Sequence, residues 1–185
     1  MIMRQLIVLS AVVIILAGLA GCYGPQGKSA KKPKFTLPPE VAGTWQATGG
    51  EEDWTITLKP NGTVASAVIP MGFVECKPNR TTKVPMLDNS TSTYKAGDFI
   101  VDYDPVTREL FVSIQMESIH IRFMDERIDG NSLDRFVGPV SADGKVWNAD
   151  WVTNFDYGPR FPPGPNVPSY ANPLVFQKVQ VPNKK

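Results

Sequence analysis

The sequence predicts an all-β domain: an antiparallel up-and-down β-barrel of about eight to ten short strands, with a β-sandwich as the alternative. Three observations carry that expectation. From Gly43 onward, apolar residues recur with a period of two rather than 3.6. Residues with turn chemistry separate the alternating runs. The chain also holds 17 prolines and 15 glycines among its 185 residues, too many for a helical bundle. Successive hairpins favour the up-and-down order, because strands adjacent in sequence usually pair. An apolar share of 42% is enough to build a core.

The first element is not part of that domain. Arg4 supplies a positive start, and Leu6 to Leu16 is apolar except for Ser10. This run is shorter than the roughly 20 apolar residues that a membrane-spanning helix needs. It ends in Leu19-Ala20-Gly21-Cys22. These four residues resemble the lipobox of bacterial lipoproteins. The resemblance implies that residues 1–21 are a cleaved signal peptide and that lipid is attached to the Cys22 thiol, with a further acyl chain such as palmitate on the new N-terminus. Two or more chains anchor a protein stably, whereas one binds only marginally. Loss of Arg4 leaves basic and acidic side chains in balance, so lipid has to do the anchoring. Residue 23 is Tyr rather than Asp, which favours the outer membrane in an organism that has one, with the domain facing the periplasm or the surface. Residues 22–39 then read as a linker. Gly24, Pro25, Gly27 and four lysines leave too little apolar surface for a core, so an extended tether is expected.

The barrel domain is expected over residues 40–181, followed by a polar tail, 182–185. Trp54, Ile56 and Leu58 alternate with Thr55 and Thr57, and Lys59-Pro60-Asn61-Gly62 turns the chain into a second strand, Thr63 to Ile69. Asn-Gly between alternating runs is a strong hairpin signal. Phe99 to Tyr103 reads as a short strand, and Asp104-Pro105 opens a turn. Leu110, Val112, Ile114 and Met116 form one apolar face. Ile119, Ile121 and Phe123 form the next, with His120 and Arg122 opposite. Arg127 to Asn131 reads as a turn, and Leu133 to Val140 leads to a second hairpin signal at Asp143-Gly144. Trp147, Ala149 and Trp151 share a face, and Leu174 to Val181 makes the last strand. Two segments look long and irregular: Cys76 to Lys95, and the proline-rich Asp156 to Pro173, which interleaves Tyr157, Phe161 and Tyr170.

Gly43-Thr44-Trp45, at the start of the first strand, resembles the Gly-x-Trp signature that opens lipocalins. Val101-Asp102-Tyr103 echoes that family's second motif without its Thr. No Arg stands on the last strand, where Lys178 is the only basic residue. The resemblance implies that Trp45 closes the bottom of a barrel against a basic residue from a late strand. It also implies a cup for a small apolar or amphipathic ligand. Trp45, Trp54, Phe99, Phe111, Trp147 and Trp151 are the candidates to line such a cup or to fill it as core.

The chemistry-bearing residues are sparse. A formal charge of +1 gives no footprint for nucleic acid. His120 is the only histidine, so any Ser-His-Asp or Cys-His site must use it. A solvent-facing strand residue is the plainer reading. Cys76 lacks a partner once Cys22 is acylated, and a buried inert thiol is expected. One His and one free Cys make no zinc set. Asp98, Asp102 and Asp104 match no calcium loop, and Asp104 before Pro105 is turn chemistry. Glu51, Glu52 and Asp53 read as a loop tip. No catalytic residues, metal or cofactor beyond the covalent lipid are therefore expected. The expected partners are a membrane, a small apolar ligand, and an envelope protein gripping the loop that carries Tyr157, Phe161 and Tyr170. A ligand-binding lipoprotein leads, an interaction module with a filled barrel is second, and an enzyme is last.

Overall fold

Alternation of burial along each strand shapes the molecule. Trp54, Ile56 and Leu58 are buried while Thr55 and Thr57 are not, and the same rhythm runs through Leu110, Val112, Ile114 and Met116. Each strand thus has one face that must be covered, and curling the sheet on itself covers all of them at once. The computed structural model describes residues 36–47, 53–86, 89–123, 126–158 and 172–179. It contains ten strands: β1 Gly43–Ala47, β2 Trp54–Lys59, β3 Thr63–Ile69, β4 Val74–Cys76, β5 Thr81–Pro85, β6 Thr91–Asp104, β7 Glu109–Phe123, β8 Glu126–Pro139, β9 Val146–Asp156 and β10 Asn172–Lys178.

All ten belong to one antiparallel sheet in the order β4-β3-β2-β1-β10-β9-β8-β7-β6-β5. Every neighbour within it is also a neighbour in sequence, except where β10 returns to pair with β1 through Trp45 and Lys178. This is an up-and-down β-barrel, as the sequence predicts. The two ends of the sheet, β4 and β5, follow one another in the chain and meet without a backbone ladder. A bond from Thr82 Oγ1 to the Glu75 carbonyl, 3.3 Å, crosses that seam. Behind it the buried Tyr94 of β6 lies against the β3–β4 turn at Gly72.

Alternating strands sort the connections between the two ends. One end is stopped by the segment that leads into β1. Leu37 and Val41 are buried there, and Leu37 N–H bonds the Pro60 carbonyl at 2.9 Å. The core therefore reaches upstream of Glu40, where the sequence places the domain start. Trp45 Nε1 donates to the Val41 carbonyl at 2.8 Å, and Lys178 Nζ lies 5.7 Å from the Trp45 ring centre. The same ammonium donates to the carbonyls of Pro39 and Glu40 at 3.0 and 2.9 Å. Gly43 makes this closeness feasible. Its φ of +130° suits glycine alone, and a Cβ there would stand 2.9 Å from Lys178 Cε.

Above this stopper the interior is filled by rings. Phe136 has ring centres of Trp54, Phe176, Trp147 and Trp151 at 4.9, 5.7, 6.2 and 6.4 Å. Trp45 meets Trp147 edge-on at 6.2 Å. Residues 33–185 form one compact unit, and all ten strands and the whole core of described residues lie in it. That unit therefore carries a complete core of its own.

Four readings of the sequence are corrected. The short strand at Phe99–Tyr103 is the end of a 14-residue strand that begins at Thr91. The irregular stretch from Cys76 to Lys95 contains β5 and the start of β6; Thr81–Pro85 alternates only between exposed and half-buried, so it leaves no hydrophobic signature. Arg127 to Asn131 is strand, not turn. Asp129 pairs with His120, and Gly130 pairs with Ile119. Gly130 is needed because a Cβ there would run into the Asp156 carbonyl of β9. Leu110–Met116 and Ile119–Phe123 are one 15-residue strand, bent by a bulge between Met116 and Ile119 that brings both of those side chains inward.

Candidate functional site

Among the described residues, the end opposite the stopper is open. Between the top of β2 and β3 on one side and β7, β8 and β9 on the other lies a half-open cavity of about 440 Å³. Its wall is mostly apolar: Trp54, Ile69, Met71, Ile119, Trp151 and Phe155 supply most of it. Alternation places the strand residues here, since each strand that turns its core face inward continues that face up to the rim, and Met71 comes from the β3–β4 turn. Trp54 and Trp151, 6.1 Å apart, are shared between the ring-filled core and the cavity. Phe155 and Tyr157 stack at 4.8 Å on the β9 side.

The polar part of the wall is one connected group. Asp134 of β8, 4% exposed, accepts from Trp151 Nε1 at 3.1 Å through Oδ1 and from Ser132 Oγ at 3.0 Å through Oδ2. Thr153, its cross-strand partner on β9, bonds the same carboxyl. Burial pushes this carboxyl above the usual aspartate range, while the three hydrogen bonds oppose that shift. No charged side chain contributes to it. The indole N–H of Trp54 is likewise buried and has no acceptor, an uncommon condition for a buried donor. The wall holds no lysine, arginine or histidine among the described residues.

The sequence-derived candidates distribute as follows. Trp54 and Trp151 line the cavity. Trp45 and Trp147 lie below it, fully buried in the core. Phe99 faces inward, partly buried against that core. Phe111 does not join the set: it lies between Leu110 and Val112, both wholly buried, so alternation turns it to the outer face, where it is half-exposed. Tyr157 reaches the cavity rim, whereas Phe161 and Tyr170 lie outside the described residues, as do Cys22, Glu51 and Glu52. Gly158 and Asn172, which flank the proline-rich segment, both stand at the open end.

No catalytic grouping forms among the described residues. Cys76 is buried on the inner face of β4, and burial pushes its thiol up to about 11. His120 is exposed on the outer face of β7 and bonds Asp129 at 2.6 Å; Arg127 also reaches that carboxylate. Asp98 accepts from Asn79 Nδ2 at 3.0 Å, and Asp102 accepts from the Tyr103 N–H at 2.9 Å. Asp104 accepts from the Val106 N–H at 2.8 Å, and that bond holds its carboxyl below the usual range. These are local strand and turn contacts. A second hollow, of about 450 Å³, lies at the stopper end between Glu40, Asp143, Lys145 and Lys178. Ala42, Gly43, Thr44, Gly144 and Val179 complete its lining, and no aromatic ring reaches it.

Sequence reasoning missed Asp134. Its parity with Ser132 and Phe136 was the available signal. The chain matches no known family model, no curated protein and no solved structure in the three comparisons made.

Proposed function

We propose that this chain is a lipid-anchored lipoprotein of the cell envelope whose barrel binds one small amphipathic molecule in the open cup. The observation that carries the reading is the cavity itself. It is apolar over most of its wall, has a small polar group at one place, and rests on a floor too well packed to collapse into it. Those are the attributes of a small-molecule pocket. Its volume lies in the ordinary range of about 300–1,000 Å³ for such sites. The Gly43-Thr44-Trp45 start, with Lys178 over the Trp45 ring, supports a lipocalin-like reading. The Leu19-Ala20-Gly21-Cys22 sequence supports the anchor, and Tyr23 in place of an Asp supports an outer-membrane address.

The test is to purify the protein gently from its native membrane, extract it with organic solvent and examine the extract by mass spectrometry. A stoichiometric small molecule supports the reading and identifies its class. A chain that emerges empty and ignores apolar fluorescent probes refutes it. One observation favours a second reading: the lower barrel is filled by rings. On that reading the protein is an interaction module, with a protein partner at the open rim.

A further inference from the structure

The cup's polar group narrows what can occupy it, and this inference rests on the binding reading above. Asp134 is an acid buried in an apolar wall with three neutral donors around it and, among the described residues, no cation. Trp151 Nε1 can only donate, so the oxygen facing it is an acceptor. Ser132 and Thr153 complete a cradle that suits a carboxylate. A buried charge held this way calls for a partner of opposite sign. Among the described residues that line the cavity, none supplies one. The same lack leaves an anionic head group without a counter-charge and sets it against the carboxyl of Asp134. The rest of the cavity wall is apolar and rich in rings: Trp54, Trp151, Phe155 and Tyr157 line it beside Ile69, Pro70, Met71 and Ile119. Ring faces attract an organic cation and offer nothing comparable to an anion.

We propose that the ligand is an amphipathic amine, its ammonium group on the Asp134 carboxylate and its apolar body against Trp54, Met71, Ile119 and Trp151. The ammonium replaces the absent cation, and Ser132, Trp151 and Thr153 hold the carboxylate in position to receive it. The class excludes fatty acids and other carboxylates as preferred occupants of the cup.

The experiment is calorimetric titration of residues 33–185, the unit with the complete core, with decylamine, 1-decanol and decanoate. The three probes share a tail and differ in the head group. The expected order is amine first, then alcohol, then carboxylate, with the amine ahead of the alcohol by about ten- to a hundredfold, the range for a hydrogen bond to a charged group. The Asp134→Asn variant keeps the shape of the side chain and should abolish the lead of the amine over the alcohol. Equal binding of all three probes to the unaltered protein, or preference for decanoate, overturns the amine assignment while the cup stands. Failure of all three to bind overturns both the assignment and the binding reading. The probe series on the unaltered chain decides the question even if the variant does not fold.

Discussion

Phe136→Ala should be among the most damaging single changes in this barrel. Phe136 is fully buried, and four aromatic rings surround it with centres 4.9 to 6.4 Å away. Truncating a buried phenylalanine costs about 3–5 kcal/mol, the spread reflecting how far the surroundings collapse into the space. Rigid indoles on several sides collapse poorly, and each lost ring contact contributes about 0.5–1.5 kcal/mol beyond buried area. The upper part of the range, about 4–5 kcal/mol, is therefore expected, a large fraction of the roughly 5–15 kcal/mol that holds a domain together. For a domain of this size that corresponds to a fall in Tm of about 8–20 °C. The assay is urea unfolding of residues 33–185 followed by far-ultraviolet circular dichroism, which avoids a tryptophan signal that the substitution itself would alter. Phe155→Ala is the control. That ring is half-buried, stacks on Tyr157 and stands at the rim, so about 1–2 kcal/mol is expected. If Phe136→Ala costs no more than Phe155→Ala at an unchanged m-value, the rings are not a packed floor and the division into core and cup is wrong.

Other changes probe the remaining features. Asp134→Asn should flatten one part of the pH dependence of stability. In the empty cup, between the ordinary aspartate range and the raised folded value, the folded chain keeps a proton on Asp134 that the unfolded chain has released, so this residue's contribution is complete below that range and is lost as pH rises through the folded value; a bound ammonium favours the ionised form instead. The quantity to read is the difference between variant and parent unfolding free energies across that window; a difference independent of pH refutes the assignment. Gly43→Ala should destabilise by about 1–3 kcal/mol, because alanine is strained at the positive φ and its methyl meets Lys178; thermal melts check it. Cys76 should resist alkylation in the folded chain at neutral pH and react promptly in urea, since its thiol is buried and pushed up to about 11. Cys22→Ala should release the protein from the membrane fraction, a result read by fractionation and by the mass of the mature N-terminus.

Much of the barrel could be read from particular residues. Trp54-Thr55-Ile56-Thr57-Leu58 and Trp147 to Trp151 alternate cleanly because one face of each meets the core and the other meets water. Asn61-Gly62 and Asp143-Gly144 marked their hairpins because turns of that kind demand positive φ, and both glycines have it. Elsewhere local chemistry was misleading. Asp129-Gly130-Asn131 looks like a turn, but a cross-strand contact with His120 and a close approach of β9 keep it extended. Thr81 to Pro85 was illegible because β5 borders the seam and buries little. Asp134 was hidden for the opposite reason: an acid beside Leu133 reads as the solvent face, and only the phase set by Phe136 turns it inward.

The seam between β4 and β5 bears on how rigid the barrel wall is. In a barrel with every ladder complete, girth follows from strand number and stagger. Here one junction lacks a ladder and rests on side chains, the Thr82 contact and the Tyr94 ring behind it. It is the joint at which the wall can widen by a fraction of a strand spacing without breaking backbone hydrogen bonds. The circumference is thus elastic at one joint, while the ring-filled base keeps its shape.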